Sequence, residues 1–170
     1  MSSELGNGLP ETYTAADAED IKLCLAPACD IPFIWNADRV TSAFGGSWPC
    51  FHDADIREVR LSAEECDFTA RFEVVKRDWE RTDAEGYFIE THRGDVTMKF
   101  GECYVLGFEG MNPQNQISDI LMQRGTFSSA YGSYAVYSFR VEAPGLTGAG
   151  FELLCRSIAV TDVSMKAIEL

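Results

Sequence analysis

The stretch Phe68-Thr69-Ala70-Arg71-Phe72-Glu73-Val74 puts an apolar side chain at every second position. Successive side chains of a strand point to opposite faces, so this pattern describes a strand with one buried face and one wet face. The pattern recurs downstream. Tyr87, Ile89 and Thr91 form a short candidate, and Val96, Met98 and Phe100 alternate with Thr97 and Lys99. Tyr104, Leu106 and Phe108 follow a turn at Gly101-Glu102. Ala135, Tyr137, Phe139 and Val141 alternate with Val136, Ser138 and Arg140, and Phe151, Leu153 and Cys155 lead into Ile158 and Val160. The odd spacing between Cys155 and Ile158 predicts a bulge or a change of face. Turn residues at Asp83–Gly86, Arg93-Gly94-Asp95, Gly110–Pro113 and Pro144–Gly150 separate the runs. The segment around Ile120 fits two patterns: Ile117, Ile120 and Leu121 have helical spacing, while Ser118, Ile120 and Met122 alternate.

Many strands at short spacing, without long helices between them, predict a mainly β (α+β) chain. The expected form is an antiparallel sandwich or curled sheet of about seven to nine strands, with one or two short N-terminal helices. Residues 1–13, with Gly6, Gly8 and Pro10, read as a flexible tail. Residues 14–45 read as a helical N-terminal part. One helix is predicted from Thr14 to Leu25, with Asp17, Glu19 and Asp20 in its early turns and Pro27 beyond it. A second is predicted from Asn36 to Phe44, ended by Gly45-Gly46. Residues 48–165 then form the β core of a single domain spanning 1–170.

The 170 residues carry 27 acidic and 14 basic side chains, a formal net charge of −13, with 46% hydrophobic residues. That balance fits an ordinary globular chain and excludes long-range disorder. The acid is uneven: residues 1–85 hold 18 acidic against 8 basic groups, and residues 86–170 hold 9 against 6. Nucleic acids and anionic membranes are polyanionic and reward clustered Lys and Arg, which this chain lacks; a basic protein surface suits it better. The first residues lack a basic start and an apolar run, and no segment approaches the ~20 apolar residues of a membrane span. The expected location is the cytoplasm. Cys24, Cys29, Cys50, Cys66, Cys103 and Cys155 therefore read as free, packed thiols.

The densest chemistry lies in Trp48-Pro49-Cys50-Phe51-His52-Asp53-Ala54-Asp55. Two readings compete. His52, Asp53 and Asp55 offer an imidazole and hard oxygen donors to a metal or a small ligand. Alternatively, Trp48 and Phe51 anchor the segment in the core while His52 and Asp53 satisfy each other. Cys50 lies two residues from His52 but has no nucleophile elbow around it. Cys24 and Cys29 lack the second close pair that a zinc site needs. Gly45-Gly46 and Gly145–Gly150 lack the features of a phosphate loop and read as turns. Asn112–Gln116 is an amide cluster suited to tying loop backbone. No catalytic, metal or cofactor residue is assigned.

Trp48–Ile56 resembles the Trp-Pro-x-Phe-His-Asp-Ala-acidic-aliphatic signature of the bacterial polymorphic-toxin immunity protein 50 family. Val96–Phe100, Gly107-Phe108, Gln114-Asn115, Phe151-x-x-x-Cys155 and Ile158-x-Val160 are similar to its later elements, so the resemblance spans roughly residues 44–163. Asp55 stands where Glu is more frequent, and Cys50 where a small polar residue is common. The resemblance implies a non-enzymatic protein that binds and neutralises a cognate toxin, with no cofactor and with Trp48, Pro49, Phe51, His52, Asp53 and Asp55 as a structural motif. Complementary charge favours a basic toxin such as a nuclease. Candidate contacts are Asp17, Glu19, Asp20, Asp53, Asp55, Glu64 and Glu65, with Trp35 and Trp79 as aromatic anchors. The alternative is a metal-dependent enzyme or small-ligand-binding β domain centred on His52-Asp53-Asp55.

Overall fold

The computed structural model describes residues 20–22, 33–46, 48–49, 51–128 and 136–168. The described elements are β1 (Asp20–Lys22), β2 (Ile34–Trp35), α1 (Ala37–Ala43), β3 (Asp55–Ser62), β4 (Asp67–Thr82), β5 (Phe88–Gly101), β6 (Tyr104–Phe108), β7 (Leu121–Ser128), β8 (Val136–Ala143), β9 (Phe151–Cys155) and β10 (Ser157–Ala167). They build two five-stranded sheets, ordered β1-β7-β8-β9-β6 and β2-β10-β5-β4-β3. Neighbours pair antiparallel, except that β2 runs parallel to β10. The mainly β architecture expected from alternation is the observed one, with ten strands among the described residues.

Register explains why the core is continuous. In the second sheet Phe68 faces Phe100, which faces Ile158, which faces Ile34. The next inward row joins Ala70, Met98 and Val160, and the next joins Phe72 and Val96. In the first sheet Met122 faces Val141, which faces Leu153, and Ala143 faces Phe151. All of these side chains are buried. The two inner faces meet at Phe151, whose ring centroid lies 4.7 Å from Phe68, 5.9 Å from Phe100 and 6.3 Å from Phe72. Phe33 closes another end against Phe139 at 5.3 Å.

The spacing break after Cys155 marks a change of sheet. Arg156 separates β9, in the first sheet, from β10, in the second. Asp67 fixes the other crossing, from β5 to β6. Its buried carboxylate accepts the Glu102 amide at 3.1 Å and pairs with Lys99 at 2.5 Å, while Glu102 adopts a positive φ of 49°. These bonds raise the Lys99 pKa, through Asp67 first and Glu65 second.

Four expectations need correction or extension. Residues 20–22 form a strand rather than part of a helix, because pairing with Leu121–Gln123 outweighs local helical preference; residues 14–19 and 23–25 lie outside the described residues, as does the tail at 1–13. Arg93-Gly94-Asp95 lies within β5 and is not a turn, so the two candidates around Ile89 and Met98 are one strand. Gly94 is required there by close approach: a Cβ would sit 2.0 Å from the Ser164 carbonyl oxygen of β10. The ambiguous segment resolves toward extended structure, with Ile117 bridged to Gly145 and β7 beginning at Leu121. The predicted second helix forms as α1; Asn36 precedes it in a left-handed conformation without a side-chain cap, and Gly45 and Gly46 follow it with positive φ.

Phe68 is fully buried, so Phe68→Ala is expected to destabilise the fold by about 3–5 kcal/mol, read as a fall in urea midpoint at unchanged slope.

Candidate interaction site

The signature segment divides into a buried half and an exposed half. Trp48, Phe51 and Ala54 are buried, and Phe51 packs edge-on against Phe72 at 5.5 Å. The chain then turns back: the Ala54 amide donates to the Phe51 carbonyl at 3.0 Å, and Asp53 takes φ 65°. Asp is among the residues that tolerate this left-handed region. The turn lifts His52 and Asp53 to the surface, where His52 Nδ1 lies 3.0 Å from Asp53 Oδ2. Asp55 faces elsewhere. It pairs with Arg57 at 3.3 Å, and Arg57 also holds Glu73 at 2.7 Å.

Two segments distant in sequence, residues 53–56 and 115–117, meet here. The Ile56 amide donates to the Asn115 carbonyl at 2.9 Å. The Asp53 amide donates to the Ile117 carbonyl, and the Ile117 amide to the Ala54 carbonyl, each at 3.0 Å. The amide cluster in turn ties its own loop to the one after β8. Asn112 Nδ2 donates to the Thr147 carbonyl at 2.6 Å, and Asn115 Oδ1 accepts the Asn112 amide at 2.8 Å. Gly148 lies against Asn112 and the Gln114 carbonyl, where a Cβ would come within 2.5 Å of that oxygen.

Beside the turn, β4 and β5 form a long hairpin whose tip exposes Tyr87 and Phe88. An open groove of about 780 Å³ separates it from the signature turn, lined by Asp53, Arg77, Tyr87, Phe88, Ile89 and Ile168 among others. The groove depends on β5 continuing through Gly94, which local pattern does not reveal. A marker was nonetheless present: two adjacent aromatics directly after the Asp83–Gly86 turn.

The candidate contacts do not converge on one patch. Asp53 and Asp55 flank the start of β3, while Glu64 and Glu65 lie exposed in the turn beyond its end. Eight residues of strand separate the two pairs by roughly 25 Å. Trp35 is exposed on β2, at the opposite edge of the same sheet. Trp79 lies in β4, and Asp20 in β1, but their side chains are outside the described ones. Asp17 and Glu19 lie outside the described residues altogether.

Part of the acid on the second sheet is matched by local base. Across the outer face of the second sheet, Glu58 pairs with Arg60 and Arg71, Glu73 with Arg57 and Arg93, Asp95 with Arg71, and Glu65 with Lys99. Exposed pairs of this kind contribute about 0–1 kcal/mol each. Their larger effect is to mute the field expected from the sequence.

His92 lies in β5, half-buried, with Nδ1 3.1 Å from Thr91 Oγ1. Among the described residues no group of three or more His, Cys, Asp or Glu side chains is arranged to hold a metal. Cys66, Cys103 and Cys155 are free, and Cys24, Cys29 and Cys50 lie outside the described residues. Burial, and then the Asp67 charge, push the Cys103 thiol up to about 11; burial raises Cys155 as well.

Comparison with protein-family models, with curated proteins and with solved structures returned no match.

The Trp48 indole N–H is buried and finds no acceptor among the described residues. Trp48→Ala is expected to cost about 3–5 kcal/mol, whereas Trp48→Phe keeps much of the ring and costs markedly less. Urea denaturation of both variants checks this. Thiol accessibility gives a second test. At pH 8 a thiol titrating near 11 is only about one part in a thousand thiolate, the reactive form. Iodoacetamide is therefore expected to label exposed Cys66 well before Cys103, and Cys155 only on unfolding, as read by peptide mass mapping.

Proposed function

We propose that this chain is an immunity protein that neutralises a toxin by binding it, without an active site of its own. The observation that carries the reading is the signature Trp48–Asp55. Its apolar residues are buried in the core, and its turn holds His52 and Asp53 exposed beside an aromatic-rimmed groove. The net charge of −13 supports a basic partner such as a nuclease, since complementary charge speeds encounter and selects against acidic proteins. The exposed rings of Tyr87 and Phe88 supply the kind of rigid apolar contact that dominates binding energy in protein interfaces. Cytoplasmic action follows from the same reading, because a toxin produced or delivered there must be met there.

The direct test is to express the products of neighbouring genes singly, take one that arrests growth as the candidate toxin, and co-express it with this chain. The expected result is restored growth, and a co-purifying complex that weakens as salt is raised. Growth arrest unchanged by this chain would overturn the proposal.

A further inference from the structure

Four strands end the two sheets, and three of them are protected. β1 and β2 have three and two residues. β3 carries Arg57, Glu58 and Arg60, and its first residues are already engaged by Asn115 and Gln116. β6 differs. Its sequence, Tyr104-Val105-Leu106-Gly107-Phe108, holds no charge and no proline. Among the described residues it pairs only with β9. Leu106 and Phe108 are 42% and 43% exposed. The pairing of β6 with β9 shifts register between Val105 and Gly107, and on either side of that irregularity the outer edge carries no charge, no proline and, among the described residues, no covering element, which leaves it open to a further strand.

The edge is also held in place. The Glu102 amide is bound by Asp67, and the Cys103 amide donates to the Cys66 carbonyl at 2.7 Å, so β6 leaves a fixed turn. At its far end lies an open pocket of about 280 Å³, lined by Phe108, Glu109, Glu142, Pro144, Phe151 and Glu152 among others. No Lys or Arg lines it. Arg140 reaches Glu142 at 2.9 Å and Glu152 at 2.6 Å, so one guanidinium stands against three carboxylates. The pocket keeps an excess of negative charge beside the exposed Phe108, which suits a cationic side chain.

We propose that the outer edge of β6, unpaired among the described residues, accepts an extended segment of a basic protein partner as a sixth strand. Main-chain hydrogen bonds supply the pairing, apolar side chains of the segment cover Leu106 and Phe108, and one Lys or Arg enters the pocket of Glu109, Glu142 and Glu152. The identity of that partner as a toxin rests on the immunity reading; the docking chemistry does not.

Two measurements separate these claims. In the first, isotope-labelled full-length protein is titrated by NMR with a short acetylated peptide that alternates Val and Thr around a central Arg. Saturable shifts at residues 104–109, 142 and 152, with binding at least ~10-fold weaker for a peptide carrying Glu in place of Arg, are expected. Shifts elsewhere, or none, overturn the docking site whatever the toxin does. In the second, Leu106→Lys is compared with Leu61→Lys, at an exposed position on β3, in the growth-rescue assay. Loss of rescue with Leu106→Lys alone, at an unchanged thermal midpoint, supports the site. Equal rescue by both variants overturns it as the toxin contact. Wild-type protein that binds the peptide but rescues no growth removes the immunity reading and leaves the site standing.

Discussion

Phe151 is the contact on which the rest of the structure depends. It belongs to the first sheet, yet its ring lies against Phe68, Phe72 and Phe100 of the second. Each sheet presents one apolar face that water penalises, and neither is stable until the other covers it. Because strand side chains repeat every two residues, that cover also fixes register: a slip by one residue would carry Phe68, Ala70, Phe72 and Val74 into solvent together. The outer rows then face water, and their charges pair across strands.

The positions of the exposed features follow from this constraint. Trp48 and Phe51 extend the core beyond the strands, so the next two residues must turn away from it, and His52 and Asp53 emerge as a surface pair. β4 and β5 run past the region covered by the first sheet, which leaves Tyr87 and Phe88 at a projecting tip. The chain leaves β5 through the Asp67-anchored turn and can cover the first sheet only at its margin, so β6 becomes an edge.

The inward residues of β4, β5, β8 and β9 were legible as alternation, since burial on one face imposes it. The long-range consequences were not. Asp20–Lys22 reads locally as helix, and only pairing with β7 makes it strand. Gly94 has the composition of a turn, but the backbone of Ser164 is what demands a residue without Cβ. β3 escaped notice because a bulge between Ile56 and Glu58 breaks its alternation. The signature at 48–55 was visible as a motif, whereas its contact with Asn115 and Ile117 required the fold. Summed charge showed acidity but not its distribution. Glu58, Glu65, Glu73 and Asp95 pair with neighbouring Arg and Lys, while Glu109, Glu142 and Glu152 surround a pocket with one guanidinium between them.

The central claim is that this chain acts by binding a protein. Isothermal titration calorimetry of the purified chain with the candidate toxin identified by growth arrest, rendered inactive to permit expression, tests that claim most directly. A saturable one-to-one complex whose affinity falls as salt rises is the expected result. No heat of binding, from two folded proteins at concentrations of tens of micromolar or above, would contradict it.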